Sequence, residues 1–317
     1  MLDLSIVVPV YNEQESVELL CEQIHAALEK IGRPYETILV DDGSTDGTWA
    51  KLVALAARYP RLRLIRFRGN FGQTAAMSAG FHAAQGEVVV TLDADLQNDP
   101  ADIPMLLARM RDGFDVVSGW RRDRQDPFIN RRLPSMLANG LISRITGVPL
   151  HDYGCTLKAY RRDVLRDVHL YGEMHRFIPA LCAWVGARVG EVAVNHRARQ
   201  FGKSKYGISR TFRVVLDLLT VNFLMRYSTH PIQIFGRIGL IFAGAALALI
   251  AVMLGDRALG LADPYLLKRP FWVITPLMFL GFSLQFICVG LLAEIQIRTW
   301  HESQNKPIYI IKETAGG

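Results

Sequence analysis

Residues 87–100 read Glu-Val-Val-Val-Thr-Leu-Asp-Ala-Asp-Leu-Gln-Asn-Asp-Pro. The apolar run Val88–Leu92 ends in two carboxylates, Asp93 and Asp95, with the amide oxygen of Gln97 two residues on. A short apolar run bounded by turn residues is the pattern of a buried strand. In open α/β sheets, ligands bind beyond the carboxyl ends of such strands. Hard divalent cations take oxygen ligands, and Mg²⁺ usually binds one or two carboxylates plus substrate phosphates. Asp93, Asp95 and Gln97 are therefore candidate ligands for Mg²⁺ or Mn²⁺. Asp99 and Pro100 have a plainer reading, as the N-cap and first residue of the next helix. Capping leaves Asp93 and Asp95 unexplained.

Three earlier stretches repeat the pattern of a strand running into a polar turn. Leu4–Val10 leads into Tyr11-Asn12-Glu13, Ile38–Val40 into Asp41-Asp42-Gly43-Ser44, and Leu62–Phe67 into Arg68-Gly69-Asn70-Phe71-Gly72. Helical stretches at about 14–31, 48–58, 73–84 and 100–111 alternate with these strands, which is the βαβ signature of a parallel sheet. The strand ends then share one edge, where a nucleotide would sit. Gly43 and Ser44 suit an ordinary turn. Adjacent Asp41 and Asp42 need a further use, because like charges at a strand end repel.

Together, Pro9-Val-Tyr-Asn-Glu13, Asp41-Asp42-Gly-Ser44, Asn70-x-Gly72 and Asp93-Ala-Asp-Leu-Gln97 resemble the family 2 glycosyltransferases with a GT-A fold. Asp152-Tyr-Gly-Cys-Thr-Leu-Lys-Ala-Tyr-Arg161 and His196-x-x-Arg199-x-x-Gly-Lys-Ser-Lys-Tyr206 resemble the polyprenyl-phosphate branch of that family. Its members include dolichol-phosphate mannose synthase, the bactoprenol glucosyltransferases and the undecaprenyl-phosphate aminoarabinose transferase. The resemblance covers roughly residues 4–312.

It implies an α/β, Rossmann-like nucleotide-sugar domain and a metal-dependent, inverting transfer from a nucleotide-sugar to polyprenyl (undecaprenyl) phosphate. The product would serve lipopolysaccharide or cell-envelope glycan modification. The resemblance also implies a homo-oligomer, a tetramer. By the same resemblance, Pro9, Tyr11, Glu13, Asp41, Asp42, Asn70, Gly72, Asp93, Arg199 and Lys205 bind the nucleotide-sugar. Asp95 and Asp152 are expected to be catalytic; Arg121 and Arg131, chosen from the cations the chain supplies and not from the resemblance, are expected to take the acceptor phosphate. The run Met174-His-Arg-Phe-Ile-Pro179 is closer to the glucosyltransferases and related hexose or hexuronate enzymes than to the aminoarabinose transferases, which points to UDP-hexose or UDP-hexuronate. No Gln-x-x-Arg-Trp motif of processive synthases occurs.

Half of the residues are hydrophobic, but unevenly spread. Residues 1–205 read as the catalytic domain. Ile238–Leu254 and Phe271–Leu292 carry no charged residue, and a crossing needs about 20 apolar residues. We expect two transmembrane helices at about 235–254 and 271–292, within 231–296, and a cytoplasmic tail at 297–317. Residues 1–29 hold no Lys or Arg and no signal-peptide core, so the domain is expected on the cytoplasmic side of the inner membrane. Arg226, Arg237, Arg298, Lys306 and Lys312 flank the spans, against Arg257, Lys268 and Arg269 in the intervening loop. The net charge of +6 suits an anionic leaflet, and no nucleic-acid module accompanies it.

In Tyr206–Tyr227, Phe212, Val215, Leu216, Leu219 and Phe223 recur at helical spacing. This fits an interfacial amphipathic helix over about 206–230, or an ordinary packing helix. Phe128–Thr146 has the same character. Cys21, Cys155, Cys182 and Cys288 lack zinc or Cys-x-x-Cys spacing and read as free thiols.

A lipid monophosphate acceptor has a second pKa near 6, so it needs collecting cations more than a base. Arg121, Arg122, Arg124, Arg131, Arg132, Arg199, Lys203 and Lys205 are the supply. Asp152 is either a base or an orienting group for a basic neighbour. A different lipid or glycan acceptor and a catalytically silent scaffold are the alternative readings.

Overall fold

The computed structural model describes residues 2–122, 133–170, 172, 174–198, 218, 232–260, 270–303 and 307–316. Their elements run β1 (Leu4–Val10), α1 (Val17–Ile31), β2 (Tyr35–Asp41), α2 (Thr48–Arg58), β3 (Leu62–Phe67), α3 (Gln73–Ala83), β4 (Val88–Thr91), α4 (Ile103–Arg111), β5 (Val116–Trp120) and α5 (Leu133–Thr146). Then follow β6 (Lys158–Arg161), α6 (Arg162–Arg166), α7 (Ile178–Trp184), β7 (Val189–Ala193), α8 (Ile232–Ala258), α9 (Pro270–Ser303) and β8 (Ile311–Gly316).

Eight strands form one mixed sheet in the order β7-β5-β6-β4-β1-β2-β3-β8. The first four strands are mutually parallel, as the alternating pattern requires. β6 runs antiparallel between β4 and β5. The start of β6 therefore meets the ends of β4 and β5, which brings residues 152–157 to the edge that carries Asp93 and Asp95. This is a mixed GT-A-like sheet.

Burial on both faces explains the continuous apolar strands. Leu4, Ile6, Val8, Leu39, Leu64 and Val90 lie in the core beneath α1, α2 and α4. On the other side, α3 is built of small residues. A Cβ on Gly80 would fall 2.2 Å from Val7 Cγ1, so glycine lets α3 sit directly on β1. The α1 helix ends at Gly32 with φ 67°, whose N–H closes on Leu28 O, a left-handed glycine stop.

The chain divides into two compact units, Met1–Asn222 with Pro307–Gly317, and Phe223–Lys306. In the second unit, α8 and α9 pack against each other. Gly239 admits Ser283 O closely, Ala246 and Ser283 are buried, and Phe242 stacks on Phe286 at 5.8 Å. Small residues at such a seam let backbones approach. The remaining surface is apolar and outward-facing: Leu240, Leu277 and Leu284 are 69%, 63% and 65% exposed. Phe235–Ala258 and Pro270–Ala293 are both long and apolar enough to span a bilayer.

Two features differ from the sequence reading. The α9 helix extends to Ser303, beyond its apolar stretch. The segment read as a tail carries β8, an antiparallel edge strand on β3. The proposed amphipathic helix at 206–230 lies, apart from Leu218, outside the described residues. Of the stretch 128–146, the structure describes α5 from Leu133.

Candidate active site

The site is assembled from turns at one edge of the sheet. The first turn follows β1. Asn12 takes a left-handed φ of 51°, tolerable for asparagine. Its N–H donates to Ser44 Oγ at 2.9 Å, and its Oδ1 accepts the Thr45 N–H at 2.9 Å. Glu13 N–H donates to Thr48 Oγ1 at 2.9 Å, and its carboxylate accepts Ser16 Oγ at 2.9 Å. Tyr11, Glu13 and Pro9 are half-buried. The Pro9–Glu13 turn is thus laced to the loop after β2.

The paired acids after β2 have definite partners in the fold. Asp42 accepts the backbone N–H groups of Phe71 at 2.6 Å and Gly72 at 2.9 Å, one on each oxygen. Burial still pushes its pKa up to about 6. Asp41 is fully buried, accepts Ser44 N–H at 3.1 Å and lies 3.4 Å from Arg66 Nε. Burial raises its pKa too. Gly43, with φ 70°, brings this loop against the next: a Cβ there would fall 2.4 Å from the Gly69 carbonyl carbon. No other residue type fits. Asn70 and Phe71 remain exposed at the rim.

Asp93 is held through both carboxylate oxygens. Gln73 Nε2 donates to its Oδ1 at 2.8 Å, and Thr156 Oγ1 donates to its Oδ2 at 2.6 Å. Thr156 is itself fixed, by Asn98 Nδ2 on its hydroxyl at 2.9 Å and Thr91 Oγ1 on its carbonyl at 2.6 Å. Burial and then the Asp95 charge push Asp93 up to about 6. Asp95 and Gln97 are half-buried, and Asp95 Oδ1 accepts the Gln97 N–H at 3.1 Å. Between them Leu96 has φ 62° and a buried side chain. A leucine held in the left-handed region costs on the order of 1–2 kcal/mol, so the turn that aims the two acids is maintained against local preference.

Sequence reasoning assigned no role to Gln73, Asn98 or Thr156, the partners that aim Asp93. Thr156 stood within the quoted 152–161 motif, and that was its signal. Lys158 is a further residue of this kind. It is buried on β6, and its ammonium donates to the Tyr153 and Cys155 carbonyls. Burial lowers its pKa. It fastens the turn that delivers Thr156.

Asp152 and Arg121 form a forked pair, Nε to Oδ2 at 2.7 Å and Nη2 to Oδ1 at 3.0 Å. Burial works against the Arg121 charge, but the Asp152 carboxylate outweighs it and holds its pKa above the ordinary value. The Arg121 N–H at 3.4 Å and the Gly154 N–H at 3.1 Å also donate to Asp152.

The basic run enters beside the acidic turn. Arg197 N–H donates to Gln97 O at 3.0 Å and its Nη1 to Gln23 Oε1 at 2.8 Å, while its guanidinium also pairs with Asp99. Arg124, Arg131, Arg132, Arg199, Lys203 and Lys205 lie outside the described residues.

Among the described residues no group of three His, Cys, Asp or Glu converges as a metal cage. Two hard carboxylates and one amide instead suit a cation that completes its shell with phosphate oxygens. The donor set fits Mg²⁺ or Mn²⁺ bound together with a diphosphate.

Residues 5–168 match Glycosyl transferase family 2. The chain is 47% identical over 316 residues to the dodecaprenyl-phosphate galacturonate synthase of Rhizobium johnstonii, covering 98% of this chain and 93% of that protein. It is 37% identical over 322 residues to the undecaprenyl-phosphate 4-deoxy-4-formamido-L-arabinose transferase of Yersinia enterocolitica, again covering 98% and 93%. Among solved structures it is similar to glucosyl-3-phosphoglycerate synthase from Mycobacterium tuberculosis in complex with Mn²⁺, UDP and phosphoglyceric acid. The TM-score is 0.55 at 20% identity, over 69% of this chain and 78% of that one. At that identity the likeness concerns the fold.

Proposed function

The chain belongs to glycosyl transferase family 2, and from that premise we propose that it transfers a hexuronate from a UDP-sugar to a polyprenyl monophosphate at the membrane surface. One observation carries this reading. The likeness to two polyprenyl-phosphate sugar transferases covers 98% of the chain, through the apolar helices as well as the sheet. Of those two relatives, the one with the higher identity carries galacturonate in its name. This agrees with the hexuronate lean of Met174–Pro179.

In this account the nucleotide lies along the turns after β1, β2 and β3, with Asp42 shaping the 68–72 loop beneath it. Asp93 and Asp95, with Gln97, would hold the divalent cation. That cation supplies positive charge to the departing diphosphate. Asp93 acts as the fixed member, since Gln73 and Thr156 determine where it points, and Asp95 is aimed by the Leu96 turn. The acceptor phosphate is largely ionised near neutral pH, so a general base contributes little. That favours Asp152 as an orienting group: it takes Nε and Nη2 of Arg121 and leaves Nη1 to meet a phosphate oxygen. Arg131, Arg199, Lys203 and Lys205 complete the proposed anion-binding set.

The domain and β8 belong to one compact unit, and α8 and α9 separate them in sequence. Two crossings return the chain to the side it left. The proposed arrangement is therefore a membrane hairpin with the sheet on the cytoplasmic face. At about 1.5 Å per residue, the 34 residues of α9 exceed a hydrocarbon core of about 30 Å.

A donor screen tests the reading. Purified protein is given UDP-galacturonate, UDP-glucuronate, UDP-glucose or UDP-4-deoxy-4-formamido-L-arabinose, with either polyprenyl phosphate or diacylglycerol, and lipids are resolved by thin-layer chromatography. The expected product forms from a UDP-hexuronate and polyprenyl phosphate only. Transfer to diacylglycerol alone would replace the acceptor. Nucleotide binding by calorimetry without any transfer would favour a silent scaffold.

A further inference from the structure

The strand β8 lies on the open edge of β3, from Arg63 opposite Gly316 to Phe67 opposite Ile311, with a register shift at Arg66 and Phe67. An open sheet edge presents unpaired backbone groups, and β8 covers those of β3. Here the segment continues past the strand and reaches the donor-site loop. Arg68 N–H donates to Ile310 O at 3.0 Å. The Tyr309 ring stacks on Phe67 at 5.1 Å with the planes 13° apart, and its hydroxyl meets His82 Nδ1 at 3.2 Å. Phe67 in turn meets Phe71 edge-on at 5.7 Å. Phe71 N–H is one of the two donors on Asp42. A second line runs from Glu313 to Arg66 Nη1 at 2.9 Å and from Arg66 Nε to Asp41 at 3.4 Å. Both acids of the 41–42 pair are thus linked to the segment that follows α9.

We propose that Tyr309 is a positioning residue for the nucleotide-sugar site: stacked on Phe67, it holds the 68–72 loop in the shape that receives the nucleotide. Donor affinity then depends on a segment far from the other donor-site residues in sequence, joined to the sheet only after the membrane hairpin has been traversed. The inference rests on the reading of Asp42, Asn70 and Gly72 as donor-site residues. The proposed effect of Tyr309 on the donor runs through Phe67.

The test uses the full-length protein in detergent, with donor and acceptor varied separately. Tyr309→Ala removes the stacked ring and is expected to raise donor KM about three- to tenfold, the scale of an aromatic pair, with acceptor KM within twofold of the parent. Tyr309→Phe keeps the ring and is expected to recover the parental donor KM. Should the alanine variant fail to purify, Tyr309→Leu keeps apolar bulk without the stack and serves the same comparison. A smaller rise in donor KM, an equal rise in both KM values, or no recovery with phenylalanine overturns the inference. Asp42→Asn is measured alongside. If it leaves donor KM unmoved, the donor-site reading itself is at fault. If it raises donor KM while Tyr309→Ala does not, only the role of Tyr309 falls.

Discussion

Asp95→Ala is expected to lower kcat by about two to three orders of magnitude, the scale of losing one strong electrostatic contributor to a developing charge, in a protein that still folds and inserts. The structure separates the two acids of the turn. Asp93 is fixed through both oxygens by Gln73 and Thr156, so its loss disturbs packing as well as chemistry. Asp95 accepts the Gln97 N–H two residues away, and its proposed work is on the cation. Asp93→Asn is expected to be milder, since an amide keeps one oxygen acceptor and Thr156 can reorient its hydroxyl. The measurement is kcat at saturating donor and acceptor, with circular dichroism and size exclusion to establish the fold. A folded Asp95→Ala variant with a near-parental rate would remove Asp95 from the account.

Asp152→Ala is expected to cost about 3–5 kcal/mol of stability, because removing one partner of a buried ion pair leaves the other charge uncompensated. The side chains of Arg121 and Asp152 are only 15% and 4% exposed, and Gly154 N–H also loses its acceptor. In a detergent melt this amounts to a fall on the order of ten degrees for a domain of this size. The double variant Asp152→Ala, Arg121→Met removes the stranded charge and should recover much of the lost stability without recovering transfer. That split distinguishes a pair kept for phosphate binding from one kept for folding. An unchanged melting temperature in Asp152→Ala would show that the pair is solvated and that the fork does not position Arg121.

The first four strands were legible because each is an apolar run that stops at a polar or glycine-rich turn, and both faces of those strands are covered. The strands β5, β6, β7 and β8 were not. β6 is four residues long and carries a buried lysine. β8, Ile-Lys-Glu-Thr-Ala-Gly, is mostly exposed and is held by backbone pairing that leaves no hydrophobic period. In the site, the spacing of Asp93, Asp95 and Gln97 was readable because neighbouring residues on one turn must act together. Thr156 reaches Asp93 across 63 residues, and only the antiparallel insertion of β6 beside β4 brings them together. Adjacent Asp41 and Asp42 do need partners, and part of what they use is internal. Backbone amides and Arg66 occupy them and so shape the loop on which the nucleotide is proposed to rest.

In the proposed reaction a lipid phosphate attacks the anomeric carbon and the nucleoside diphosphate leaves. The identity of the released nucleotide tests it most directly. Purified protein, UDP-hexuronate and polyprenyl phosphate are incubated with the divalent cation, and UDP, UMP and lipid-linked sugar are quantified together by liquid chromatography and mass spectrometry. The account predicts one UDP released for each lipid-linked sugar, with a single phosphate between sugar and lipid. Release of UMP with a lipid diphosphate sugar would contradict it, because the bond broken would then be the donor's phosphoanhydride and not its glycosidic bond.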